Sequence, residues 1–211
     1  MPFACIYVPN FPVAAALRAE PELQARALAI VEGKPPLETI LTVNEAASRL
    51  GIVADMTKAQ AELCPEVALR LRSALQESAA HAALLDCAQS LSPCVEDAAC
   101  DTALLDLAGM ESLLGSLPEI SRAISNCATR PGLAANVAIA SNPDAAALAA
   151  RGLCGASTVA RGGVTVIPAG HEAERLGPLP VEVLFANSRA EDRAGDPGSV
   201  TDRRRQDRRV R

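Results

Sequence analysis

Short apolar runs and helix-spaced apolar positions follow one another along this chain. FACIYV, residues 3–8, is a continuous apolar run closed by Pro9 and Asn10, which predicts a short buried strand. FPVAAALRA (11–19) has helical composition and stops short of Pro21. ALAIVEG (27–33) and LETILTV (37–43) predict two further strands. Asn44 precedes EAASRL and Gly51 follows it, while Thr57 precedes KAQAEL and Cys64-Pro65 ends it, so two short capped helices are predicted. VALRLR (67–72) alternates apolar and charged residues, the pattern of a half-buried strand.

The second half opens with the longest helical segment, 73–91, whose apolar face is read as residues 75, 79, 83, 84 and 87, with Pro93 as its stop. TALLDL (102–107) is strand-like, MESLLGSL a short helix, and 118–129 a helix that begins at Pro118. LAANVAIA (133–140) predicts a strand and Asn142-Pro143 opens the helix PDAAALAARG. STVARGGVTVI (157–167) holds short strand-like pieces, followed by a helix near HEAERL and the fragment GPLPVEVLF. The order predicts an α+β (mixed α/β) fold: one sheet, strands returning after helical excursions, helices on one face.

Composition changes this picture in two ways. Hydrophobic residues make up 49% of the 211, yet only one Tyr, three Phe and no Trp are present, so alanine and aliphatic side chains must build the core. Such a core is expected to be modestly stable unless a partner covers part of it. No run approaches the ~18–20 apolar residues of a membrane span. The first residues lack the basic start and apolar run of a secretion signal, so no membrane partner and a cytoplasmic protein are expected. The seven cysteines include no Cys-x-x-Cys pair, and His81 and His171 are far apart. This argues against a zinc site and a disulfide scaffold, and reads the thiols as small buried hydrophobes.

Net charge is −5, unevenly spread. Residues 187–211 hold eight Arg and five acids, which leaves 12 basic and 20 acidic side chains in the preceding 186 residues. An acidic body is a poor start for strong DNA binding, so any contact with DNA is expected to be weak or indirect. The tail itself reads as disordered, its RRRQDRR cluster solvated.

Candidate chemistry is sparse. There is no Gly-x-x-x-x-Gly-Lys-Ser/Thr loop and no Gly-x-Gly-x-x-Gly after the first strand. The glycines of GLCGA and RGGV suit ordinary turns, and His81 and His171 lie near no Ser or Cys nucleophile. His81 reads as packed or solvated. The acidic stretch VEDAACDTALLDLAG (95–109) offers Glu96, Asp97, Asp101 and Asp106. Within a strand Asp101 and Thr102 face opposite ways and Asp106 faces away from Asp101, so no two acids are forced to converge. A divalent-metal site would need a second carboxylate from a neighbouring strand end, and Tyr7-Val8-Pro9 supplies none.

Four stretches together carry a resemblance. They are the first strand with FPVAAALR, TVNEAASRLGIVADMTKAQAELCPEVALR, ACDTALLDLAG and VAIASNPDAAALAARG. In this order they resemble the palm and fingers of Y-family (UmuC/DinB-type) translesion DNA polymerases. The second is the most specific: Ala47, Gly51, Ile52, Met56, Ala61, Cys64 and Pro65 sit where the family's fingers pattern places them. The resemblance implies a palm-like sheet plus a small fingers subdomain. Palm and fingers are expected over 1–168 (fingers about 14–72), the start of a truncated thumb over 169–186 and a disordered basic tail over 187–211, read as a frameshifted or truncated end.

The departures from the family pattern concern its chemistry. In active members two acids flank the turn after the first strand; Tyr7 and Pro9 stand there. The palm Asp–Glu pair corresponds to Asp101 and Thr102, the triphosphate-binding Tyr, Arg and Lys to Glu45, Ser48 and Ala147, and the aromatic gate to Pro12. Two-metal phosphoryl transfer needs carboxylates from both strand ends. Asp101 is the one retained palm acid, so the expectation is that the chain is no enzyme, holds no metal or cofactor, and is similar to the silent ImuB-type branch. That branch implies an adaptor in translesion synthesis, with a replicative sliding clamp, a RecA-like companion and an error-prone polymerase as partners. The alternatives are a weakly active error-prone polymerase that uses Asp101 with Mg²⁺, and an unrelated protein-binding α/β module.

Overall fold

The structure, a computed structural model, describes residues 1–154 and 162–185. The tail at 187–211 and residues 157–161 of STVARGGVTVI lie outside the described residues. The chain divides into two compact units, Met1–Leu179 and Pro180–Arg211. In the second, the described part is a 3₁₀ turn at Val181–Phe185.

The first unit is built from eight strands and eight α-helices among its described residues: β1 (Phe3–Tyr7), α1 (Phe11–Ala19), β2 (Ala27–Glu32), β3 (Thr39–Val43), α2 (Glu45–Arg49), α3 (Lys58–Ala61), β4 (Val67–Leu71), α4 (Ala74–Gln89), β5 (Val95–Ala99), β6 (Thr102–Asp106), α5 (Glu111–Leu114), α6 (Leu117–Thr129), β7 (Asn136–Ala140), α7 (Pro143–Gly152), β8 (Val164–Val166) and α8 (Glu172–Leu176). The mixed α+β class is as the periodicity predicts. The strands make two sheets rather than one: a five-stranded sheet in the order β5-β6-β1-β7-β8, and a three-stranded sheet in the order β3-β2-β4. The second sheet was illegible because β2 is buried on both sides. Ala27, Ala29 and Val31 pack on one side, Leu28 and Ile30 on the other. A strand covered on both faces gives no alternation to say which sheet it joins.

β1 is the central strand of the larger sheet, antiparallel to β6 and to β7. Its alternation places Ala4 and Ile6 in a core with α4 and α6, and Cys5 and Tyr7 against α7. The five-stranded sheet therefore carries helices on both faces, not one. The α7 face is made of Ala145, Ala146, Ala149 and Ala150, small enough to let the helix lie close to Ala138 and Ala140. Sequences of alanine hide this contact, since alanine marks neither face strongly.

The same reason corrects the face of α4. Its buried residues are Ala80, Leu84, Cys87 and Ala88, while Leu75 is 81% exposed in the first turn. The predicted caps hold: the Asn44 side chain accepts from the Ala47 N–H, Thr57 forms a capping box with Gln60, and Asn142 accepts from the Ala145 N–H. Asn44 also accepts from the Leu28 N–H and donates to the Arg26 carbonyl, which ties α2 to β2. Gly51 closes α2 at φ +84°, a conformation that favours glycine. All seven thiols are free, but Cys94 and Cys100 are exposed and do not act as buried hydrophobes.

Candidate active site

The carboxyl end of β1 fixes the geometry. Tyr7 stands opposite Thr102 of β6 on one side and Asn136 of β7 on the other. Thr102 is fully buried, Asn136 nearly so, and Tyr7 half-buried. Asp101 is not a strand residue, as the sequence reading assumed. It sits in the hairpin turn between β5 and β6, because the acidic, solvent-facing VEDAA forms an edge strand that its exposed residues did not advertise. The Asp101 carbonyl accepts from the Val8 N–H at 2.9 Å, and its Oδ1 accepts from the Thr102 hydroxyl at 2.7 Å. The turn is thereby held against the end of β1.

Arg151 enters the same corner from the last turn of α7, one helical turn after Ala147. Its guanidinium lies 5.7 Å from the centre of the Tyr7 ring, and its Nε is buried with no hydrogen-bond partner. Burial raises the Tyr7 phenol above its ordinary value, the Asp101 charge raises it further, and Arg151 opposes both. Cys5, behind Tyr7, is pushed up to about 12, again chiefly by burial, with Arg151 opposing and Asp101 adding. Both groups are therefore neutral near pH 7. Sequence reasoning missed Arg151; the available signal was its place four residues after Ala147, on the face of α7 that meets β1.

The other singled-out residues are spread over several places. Ala147 is partly buried against the same small core as Tyr7. Pro9 and Glu45 line a cleft of about 570 Å³ together with Asn10, Arg49, Leu133 and Ala134. Glu45 is engaged by Arg49 in an i,i+4 ion pair, Ser48 is exposed on α2, and Pro12 occupies the first turn of α1. Asn10 adopts a left-handed conformation at φ 51°, donates to the Val43 carbonyl and accepts from the Thr42 hydroxyl, so the β1–α1 turn is anchored to β3. Glu96 and Asp97 lie exposed on β5, and Asp106 pairs in register with Phe3 at the far end of β1 from Tyr7.

The donor set decides what ions this corner suits. It offers the Asp101 carboxylate, the Tyr7 phenol, which is neutral near pH 7, and the Thr102 hydroxyl, with the Arg151 guanidinium over the ring. A pair of Mg²⁺ ions demands several carboxylates, and a cation placed among the ligands opposes them. The residues present do not fit a two-ion site.

Comparison with known proteins places the fold. A match to the impB/mucB/samB family covers residues 6–151. A comparison with curated proteins finds no match. Among solved structures, the post-insertion binary complex of Dbh DNA polymerase is similar with a TM-score of 0.70 at 19% identity, over 87% of this chain and 53% of that one. The insertion ternary complex of Dbh gives 0.69 at 18%, over 90% and 57%. DinB from Sulfolobus solfataricus gives 0.67 at 18%, over 90% and 57%. The chain spans about half the length of these polymerases. The expectation that the chain is no enzyme is overturned by these findings, because the family and the matched folds are those of DNA polymerases. With a match that covers most of the chain and a fold shared with Dbh and DinB, this protein belongs to the impB/mucB/samB family of Y-family polymerase-like proteins.

Proposed function

We propose that the chain works in translesion DNA synthesis as an accessory of the ImuB type, in the cytoplasm of a bacterium and under damage-induced mutagenesis. The observation that carries this reading is the refitted end of β1. A palm-like sheet is kept, and the sequence resemblance assigns Tyr7, Pro9 and Thr102 to positions that the family fills with acids. The same body then serves contacts with protein partners and, indirectly, with DNA. The proposed partners are a replicative sliding clamp, a RecA-like protein and an error-prone polymerase. Their binding is tested by immobilising the chain against each purified protein. Capture of at least one with micromolar affinity or better is expected, and no binding to any of the three contradicts the reading.

A second reading is favoured by one specific observation. Asp101 is held at the strand end by Val8 and Thr102, where a palm acid would act. Weak templated synthesis through Asp101 with a divalent ion follows from it. Extension of a primer by the wild-type chain that disappears in Asp101→Asn supports this reading; equal extension by both chains removes it.

A further inference from the structure

Asp101 depends for its place on a short turn, and that turn is gripped from the long helix behind it. His81 of α4 reaches across to the β5–β6 hairpin. Its Nδ1 lies 2.9 Å from the Cys100 carbonyl oxygen and its Nε2 lies 3.1 Å from Oδ2 of Asp97. A carbonyl oxygen and a carboxylate oxygen both only accept, so each bond takes its hydrogen from the ring: the imidazolium makes both, and the neutral ring with its hydrogen on Nδ1 keeps the bond to Cys100 alone. One residue on, the Asp101 carbonyl accepts from the Val8 N–H of the central strand. Two consecutive carbonyls of the turn are thus held by separate elements, Cys100 by α4 and Asp101 by the end of β1.

We propose that His81 is a positioning residue: its Nδ1–H to the Cys100 carbonyl fixes the hairpin turn that presents Asp101 at the end of β1, and its Nε2 contact with Asp97 orients the ring. The ring is itself set by the helix. Ala80 and Leu84, flanking His81 on α4, are fully buried in the core, so the helix cannot rotate to withdraw it. Arg72 holds Glu77, one turn earlier on α4, and Glu32 of β2 at 2.8 and 2.7 Å, which fixes the start of the helix against the smaller sheet. The turn, by contrast, follows an irregular stretch of β5, where the pairing register with β6 shifts between Asp97 and Ala99. A bulged hairpin arm has freedom that a helix-borne donor removes. The importance of Asp101 rests on the reading above that it is the retained palm acid; its placement by His81 does not.

Two isosteres separate the two contacts. The Asn amide nitrogen sits where Nδ1 does, and the Gln amide nitrogen where Nε2 does. Phe keeps the ring volume and neither donor. The readout is hydrogen exchange of the Val8 amide, which reports the Asp101 carbonyl directly, with the Ile167 amide at the β7–β8 edge as control. His81→Phe is expected to speed Val8 exchange about five- to tenfold, the worth of one hydrogen bond, and to leave Ile167 unchanged. His81→Asn is expected to restore protection and His81→Gln to behave as Phe. Unchanged Val8 exchange in His81→Phe overturns the proposal, as does equal protection by Gln and Asn. The measurement needs neither nucleotide nor partner, so its failure leaves the proposed function standing, and failure of partner binding leaves this placement standing.

Discussion

The guanidinium of Arg151 lies over the ring of Tyr7, 5.7 Å from its centre, at the end of the central strand of the five-stranded sheet. Tyr7 lies on the β1 face that α7 covers, and Arg151 comes from that helix. A neutral ring and a built-in cation thus stand together at this strand end. If the pair is energetically coupled, a double-mutant cycle with Tyr7→Leu and Arg151→Met should return about 1 kcal/mol, read from chemical denaturation. Additive effects would show that the two side chains are only neighbours.

The chain's single tyrosine makes a second prediction unusually clean, since no Trp is present and near-ultraviolet absorbance of the phenolate reports Tyr7 alone. Burial is the largest cause of its raised pKa, Asp101 adds to it and Arg151 lowers it. Asp101→Asn should therefore shift the titration down and Arg151→Met should shift it up. A folded-state value above the unfolded one means that the unfolded chain loses its proton first as pH rises. The contribution of Tyr7 is then fully present below the unfolded value near pH 10 and declines as pH climbs through the raised one.

Carboxylates returned to the strand end should return metal affinity. Tyr7 and Thr102 are opposite in register, so Tyr7→Asp with Thr102→Glu adds two acids beside Asp101. Arg151→Ala must accompany them, because the guanidinium would otherwise pair with the new Asp. The triple variant is expected to bind Mn²⁺ roughly tenfold or more tightly than wild type by calorimetry, since three converging carboxylates define such a site. Equal affinity would mean that the corner does not bring these side chains together.

How much of this was legible beforehand follows from particular residues. Caps announce themselves, so Asn44, Thr57 and Asn142 located three helix starts. β1 and β7 were visible as apolar runs closed by turn residues. Alanine was not informative: the buried faces of α4 and α7 are largely alanine, and the placement of α7 on the second face of the sheet went unseen. β5 was hidden because an exposed edge strand owes its form to backbone pairing with β6. The cation that accompanies Tyr7 was not legible, because Arg151 is 144 residues away in sequence and meets Tyr7 only through the packing of α7 on β1.

The accessory role is tested most directly by lesion bypass. A primer is extended across an abasic template site by an error-prone polymerase with sliding clamp and RecA-like protein, with and without the chain. Addition of the chain is predicted to increase full-length product severalfold. Product unchanged by the chain would contradict the account.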